Sequence, residues 1–220
     1  MDGMRLGRID GFGDFCGLVR AVGFAPMECL TPYFGPGIRW HTGDPETDPW
    51  EWRVRAMGCG DLCYGKLFAR KGGFIARPWY PLFLAARRRG SFEEAYGAGL
   101  LRYEAKRIHG ALAGNGPLPV HELKTLAGFR REERAAFDAA LTDLQMQLYA
   151  AMCGVTRKRN ARGEAYGWQS TCFCLAEQLF SGALAEAEAL DREEAAGRLE
   201  ERLGEAFGLT GRAAQRLVGC

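Results

Sequence analysis

Tyr149-Ala-Ala-Met-Cys-Gly-Val-Thr156 and Tyr166-Gly-Trp-Gln-Ser-Thr-Cys-Phe-Cys-Leu175 flank the segment Arg157-Lys-Arg-Asn-Ala-Arg-Gly163. Two β-like runs around a basic turn that closes on glycine read as a hairpin with a cationic tip. What precedes the hairpin decides the fold. Leu101, Ala105, Ile108 and Leu112 fall on one helical face, and Gly114-Asn-Gly-Pro117 ends that helix. A second, short helix has Pro119 near its first turn, an apolar face of Val120, Leu123 and Ala127, and Gly128 as its stop. A third runs from Arg131 to Leu148, with Phe137, Leu141, Leu144 and Leu148 at helical spacing. Helix, short helix, longer helix, hairpin is the order of a winged helix.

Working outward, residues 1–100 read as an N-terminal α/β portion. It has a helix at Phe12 to Val22, a strand from Phe24 to Leu30 and a Pro/Gly loop after it. Asp48-Pro49-Trp50-Glu51 starts a helix, with Asp as N-cap and Pro at the first position. Strands are expected at Leu62 to Ala69 and Gly73 to Ala76, joined by a turn at Arg70-Lys71-Gly72. Trp79 to Arg89 reads as a helix whose last carbonyls attract Arg87, Arg88 and Arg89. Ser91-Phe-Glu-Glu94 is a capping box. Residues 176–220 are Ala/Glu/Arg-rich and helical, with Glu201/Glu205 and Arg198/Arg202 as neighbours on a solvated face. The expected fold class is therefore α+β, mostly helical: a winged helix-turn-helix at 101–175 with an N-terminal α/β portion and a C-terminal helical tail, in one compact unit.

Composition narrows the classes. With 47% hydrophobic and 25% charged residues, the 220-residue chain is neither disordered nor a membrane protein, and the expected setting is cytoplasmic. No secretory h-region follows Met1, and the longest apolar stretch is broken by Arg77, Pro78 and Pro81. The net charge of +2 conceals a distribution: residues 1–52 carry −4, 53–107 carry +8, 108–175 carry +2 and 176–220 carry −4. The basic middle serves either a phosphate-tracking surface or pairing with the acidic tail. Eight cysteines lack zinc-type spacing and read as buried thiols, so neither a metal nor a cofactor is expected.

Arg157, Lys158, Arg159 and Arg162 are the strongest nucleic-acid candidates, because long cationic side chains at a hairpin tip reach phosphates or a minor groove. Arg131 and Arg134 at the start of the third helix join them. That helix makes a poor base reader: its outward face is Ala135, Asp138, Ala139, Thr142 and Gln145, whereas bidentate purine readout wants Arg, Asn or Gln in array. Trp50, Trp52, Trp79, Trp168 and Tyr80 read as core aromatics rather than base-stacking groups. His109 and His121 have no neighbouring nucleophile in sequence and read as ordinary, partly exposed histidines. No phosphate loop, zinc-protease motif or nucleophile elbow is present.

Arg102-Tyr-Glu-Ala-Lys-Arg-Ile-His-Gly-Ala-Leu112, Gly116-Pro-Leu118, Ala140-Leu-Thr-Asp-Leu144 and Tyr166-Gly-Trp168 together resemble the AlkZ-like winged-helix DNA glycosylases. Upstream, Asp48-Pro-Trp-Glu-Trp-Arg53, Tyr64-Gly-Lys66 and Arg77-Pro-Trp-Tyr-Pro81 resemble an AlkZ-related subgroup, so the likeness spans about residues 48–175. It implies stacked winged-helix units and excision of alkylated or cross-linked bases by glycosidic-bond hydrolysis, a DNA-repair role. The chain departs from the family at its catalytic signature, an early Gln-apolar-Gln or Gln/Asp motif, because its first hundred residues contain no Gln. Gln145-Met146-Gln147 has the letters, but on a helix the two Gln side chains point about 200° apart. Three functions remain in view. They are a double-stranded-DNA-binding protein without established catalysis, an active glycosylase on alkylated or cross-linked bases, and a protein-interaction module with a partner at the acidic C-terminal helices. No membrane partner is expected.

Overall fold

The structure, a computed structural model, describes residues 4, 6–159 and 162–219; the side chains of Lys158, Arg159 and Trp168 also lie outside the description. In chain order the elements are α1 (Phe12–Val22), β1 (Phe24–Pro26), α2 (Met27–Leu30), α3 (Pro49–Gly58), β2 (Leu62–Phe68), β3 (Lys71–Ala76) and α4 (Tyr80–Arg87). Then come α5 (Phe92–Gly97), α6 (Tyr103–Asn115), β4 (Leu118–Pro119), α7 (Val120–Leu126), α8 (Arg134–Met146), β5 (Ala150–Arg159) and β6 (Ala165–Leu175). Three helices finish the chain: α9 (Ala183–Glu188), α10 (Arg192–Phe207) and α11 (Arg212–Val218). The architecture is α+β and mostly helical, with two small antiparallel sheets. No helix among the described residues is long and apolar enough to cross a membrane.

Two compact units divide these elements. One is discontinuous, built from residues 1–87 and 180–220; the other is the central segment 88–179. In the discontinuous unit the sheet order is β1-β3-β2. Phe15 of α1 stacks on Trp52 of α3 at 5.0 Å and meets Phe74 of β3 edge-on at 4.7 Å. Phe15, Trp52 and Phe74 are all fully buried. The strand expected over Phe24 to Leu30 stops at Pro26 instead. Pro26 has no N–H to continue a ladder and serves as the N-cap residue of α2, while β1 lies at the sheet edge where proline is tolerated. The β2–β3 turn is also tighter than expected. Phe68 pairs with Lys71, leaving Ala69 and Arg70 as the two turn residues, both at positive φ. Gly73 is needed elsewhere: a Cβ there would fall 2.3 Å from the Phe68 ring, which packs against the bare backbone.

Asp48 caps α3 and does more than cap. Fully buried, it accepts backbone N–H bonds from Trp50 (2.8 Å), Gly43 (3.0 Å) and His41 (3.1 Å), closing the loop before the helix. Burial pushes its carboxyl upward, but the backbone donors at Gly43, Trp50, His41 and Thr42 together outweigh it and hold the pKa below the usual 3.8. Because the folded-state pKa is depressed, this contribution is complete above the ordinary carboxylate range and is lost as the pH falls through the folded value. Asp48→Ala is expected to cost about 2 kcal/mol, since it strands several N–H groups. Urea unfolding at pH 7 checks this, and the difference from wild type should shrink toward pH 3.

A recurring device holds the helices in place. Arg202 of α10 donates to the Ala21 and Val22 carbonyls at the end of α1, at 2.7 and 2.8 Å. Arg192 donates to Ala86 near the end of α4 at 3.0 Å. Arg87, only 4% exposed, donates to the Leu217 and Val218 carbonyls at the end of α11 and lies over the Phe83 ring at 4.7 Å. Each guanidinium sits at the negative end of a helix other than its own. Arg87, expected to cap the last carbonyls of its own helix, therefore caps those of α11 instead. Arg202, expected on a solvated face, is turned inward.

Candidate nucleic-acid interface

The central unit is assembled around α6 and α8. Ala105, Ile108 and Leu112 of α6 pack with Phe137, Ala140, Leu141 and Leu144 of α8 in one buried cluster. That is the packing the helical spacing predicts. Between them α7 is short because Pro119 precedes it and Gly128, at φ 70°, turns the chain away after it. Arg107 fixes this turn. It donates to the Ala127 carbonyl at 2.9 Å and to the Gly128 carbonyl, pairs with Glu133 at 2.7 Å, and lies 3.8 Å over the Phe129 ring. The Arg107 guanidinium, with a backbone N–H from Arg130, holds the Glu133 carboxyl below its ordinary pKa. Arg107 escapes sequence reasoning because its partners lie twenty to twenty-six residues downstream, with no periodic signal linking them.

The sheet of this unit has the order β4-β6-β5. At its base Ala150 pairs with Leu175 and Met152 with Phe173, which joins the core. The ladder then runs outward through Thr156↔Ser170 to Lys158↔Tyr166 and Arg159↔Ala165, with bulges after Met152 and Thr156. Along it, burial gives way to exposure: Ala150 is buried, Val155 half-buried and Arg157 exposed. His121 of α7 bonds Ser170 of β6 through Nδ1 at 3.0 Å, tying the short helix to the hairpin. The other central histidine, His109, lies flat on Phe92 at 3.7 Å, and its burial lowers its pKa.

The six candidate cations occupy two places. Arg157 and Arg162 are exposed at the outer end of the hairpin. Lys158 and Arg159 lie on β5 by backbone, their side chains outside the description, as are Asn160 and Ala161. Arg131, exposed in the 3-10 turn Arg131–Glu133, and Arg134, the first residue of α8, belong instead to the approach to α8. Arg134 is largely solvated and stands 3.6 Å from Asp138. Arg130, also exposed there, adds a third cation to the approach to α8.

The outward face of α8 is narrower than expected. Thr142 and Gln145 are buried, bonding back to the Asp138 and Leu141 carbonyls. That leaves Ala135 and Asp138 fully outward and Ala139 half-exposed, with Asp138 flanked by Lys124 and Arg134. Gln145 is enclosed while Gln147 follows the helix as its C-cap residue, so the two do not share a surface. Asp143 and Gln147, together with Arg102, line a small polar pocket of about 270 Å3. Arg102 pairs with Asp143 at 3.2 Å.

A family model described as AlkZ related matches residues 9–214. The chain belongs to the AlkZ-related family. No curated protein and no solved structure gives a significant match. The family span takes in almost all of both units, well beyond the segment whose motifs carry the resemblance. In this AlkZ-related chain much of the basic excess at 53–107 is internally committed. Arg87 and Arg107 cap helices. Arg88 binds the Leu148 carbonyl and Glu177, Arg55 binds Glu46, and Lys71 binds Glu28. Arg53 lies 3.3 Å over the exposed Trp50 ring. Trp52 and Tyr80 are core residues as expected, whereas Trp50 is not.

Proposed function

We propose that residues 101–175 form a winged helix-turn-helix that binds duplex DNA through the β5–β6 hairpin, in a protein whose AlkZ-related ancestry ties it to DNA repair. The observation carrying this reading is the ladder from the buried base at Ala150↔Leu175 to Arg159↔Ala165, about 30 Å of paired strand with its cations at the outer end. Family membership supports a nucleic-acid partner. The poverty of base-reading groups on α8 argues for phosphate and minor-groove contact rather than sequence readout.

A salt series with a duplex tests it. Replacing Arg157, Lys158, Arg159 and Arg162 together by Ala is expected to reduce the slope of log affinity against log salt by about 3–4, one lost phosphate contact per residue. An unchanged slope removes the hairpin from the interface. A second reading, glycosidic-bond hydrolysis, draws on the polar pocket that Asp143 of α8 and its C-cap residue Gln147 both line. Incubation with alkylated duplex tests that reading: base release that disappears in Asp143→Asn supports it, and no release defeats it.

A further inference from the structure

The sheet of the central unit gathers three cysteines on one face. On β6, Phe173 and Leu175 point to the core, so Cys172 and Cys174 point the other way. On β5, Met152 pairs with Phe173 and packs on the same core, which puts Ala151, the partner of Cys174, on the cysteine face. The next pair is Gly154↔Cys172, so Cys153 is the extra residue of a bulge. It lies on the cysteine face between Cys172 and Cys174, and the Cys174 thiol donates a hydrogen bond to its sulfur. Neighbouring strands are about 4.8 Å apart, which keeps cross-strand and diagonal side chains on one face within reach of each other. Gly154 leaves the space beside the bulge free of a side chain.

We propose that Cys153 and Cys174 are a dithiol that a hydroperoxide converts to an intrachain disulfide, with half-buried Cys153 as the attacking sulfur and buried Cys174 as the resolving one. The Cys153 thiolate attacks one peroxide oxygen; an S–O bond forms, the O–O bond breaks, and hydroxide leaves. The Cys174 sulfur then attacks the Cys153 sulfenic acid; an S–S bond forms, the S–O bond breaks, and the departing hydroxide takes the Cys174 proton as water. Two thiols are oxidised and one hydroperoxide is reduced. The bond donated by Cys174 lowers the Cys153 pKa, raising its thiolate fraction. A second thiol pair, Cys16 and Cys59 in the discontinuous unit, is in similar contact, but burial pushes Cys16 up to about 12, which starves it of thiolate.

This inference does not rest on the DNA reading, because its readout is sulfur chemistry. The full chain is treated with hydrogen peroxide, and the remaining thiols are blocked. Peptides are then mapped by mass spectrometry without reduction. A peptide pair linked through Cys153 and Cys174 is the expected product. Cys174→Ser should lose that pair and leave Cys153 as a sulfenic acid that dimedone traps, and Cys153→Ser should lose both signals. A link confined to Cys16 and Cys59, a link from Cys153 to Cys172 instead, or an unmodified Cys153 overturns the assignment. The wild-type map decides the matter even where a variant folds poorly.

Discussion

Arg87→Met is expected to destabilise the unit formed by residues 1–87 and 180–220 by about 3 kcal/mol, measured as a shift in urea midpoint at constant slope. Methionine keeps most of the apolar stem against Phe83 and Phe68, so packing loss is small. What is lost is a buried charge-assisted donor to the Leu217 and Val218 carbonyls, which then have a helix-end partial charge and no guanidinium opposite them. Arg87→Lys should fall between the two, because an ammonium is a compact point charge and cannot reproduce the planar fork. Peptide-resolved hydrogen exchange should show the loss first in α11 and α4. A shift below about 0.5 kcal/mol, the usual range for a surface substitution, would mean that α11 is held by apolar packing alone.

Arg107→Ala is expected to cost the central unit roughly 2–3 kcal/mol, through two stranded carbonyls at the end of α7 and the loss of its contact with Phe129. On the DNA-binding reading proposed above, its effect should differ in kind from that of the hairpin cations. Arg107 is largely buried and already paired with Glu133, so its removal should weaken binding by loosening the turn between α7 and α8 without changing the salt slope. A slope reduced by about one would reveal Arg107 as a phosphate contact instead. The two experiments together separate residues that shape the interface from residues that touch it.

The parts of the fold legible in the sequence are those set by neighbours. The capping box at Ser91 and Glu94 is present in both directions, and Asp48 does accept from Trp50. The faces of α6 and α8 follow the helical period into a shared core, apart from Thr142 and Gln145, which a helix wheel places outward and the packing around α8 encloses. Arginine roles were half legible. Cations near a helix end suggest capping, but nothing local tells Arg87 that its carbonyls lie 130 residues downstream. Nor does local sequence show Arg202 reaching back to α1, some 180 residues upstream. The +8 charge of residues 53–107 misleads for the same reason: charge in sequence does not distinguish a guanidinium facing solvent from one held at a helix terminus. On the hairpin, alternation gives the strands, while the bulge that brings Cys153 beside Cys174 depends on register and leaves no mark in composition.

The discontinuity of the first unit sets an order for synthesis. Residues 88–179 have all their core partners once Leu179 has left the ribosome, whereas residues 1–87 lack α10 and α11 until residues 180–220 appear. At about 5–20 residues per second, the N-terminal segment waits on the order of 10 s for the helices that complete the core around Phe15, Phe24 and Phe83. In that interval Arg87 is a cation without its helix end, and the sheet β1-β3-β2 has no tail to cover it. The central unit can thus complete its core during synthesis before the first unit can.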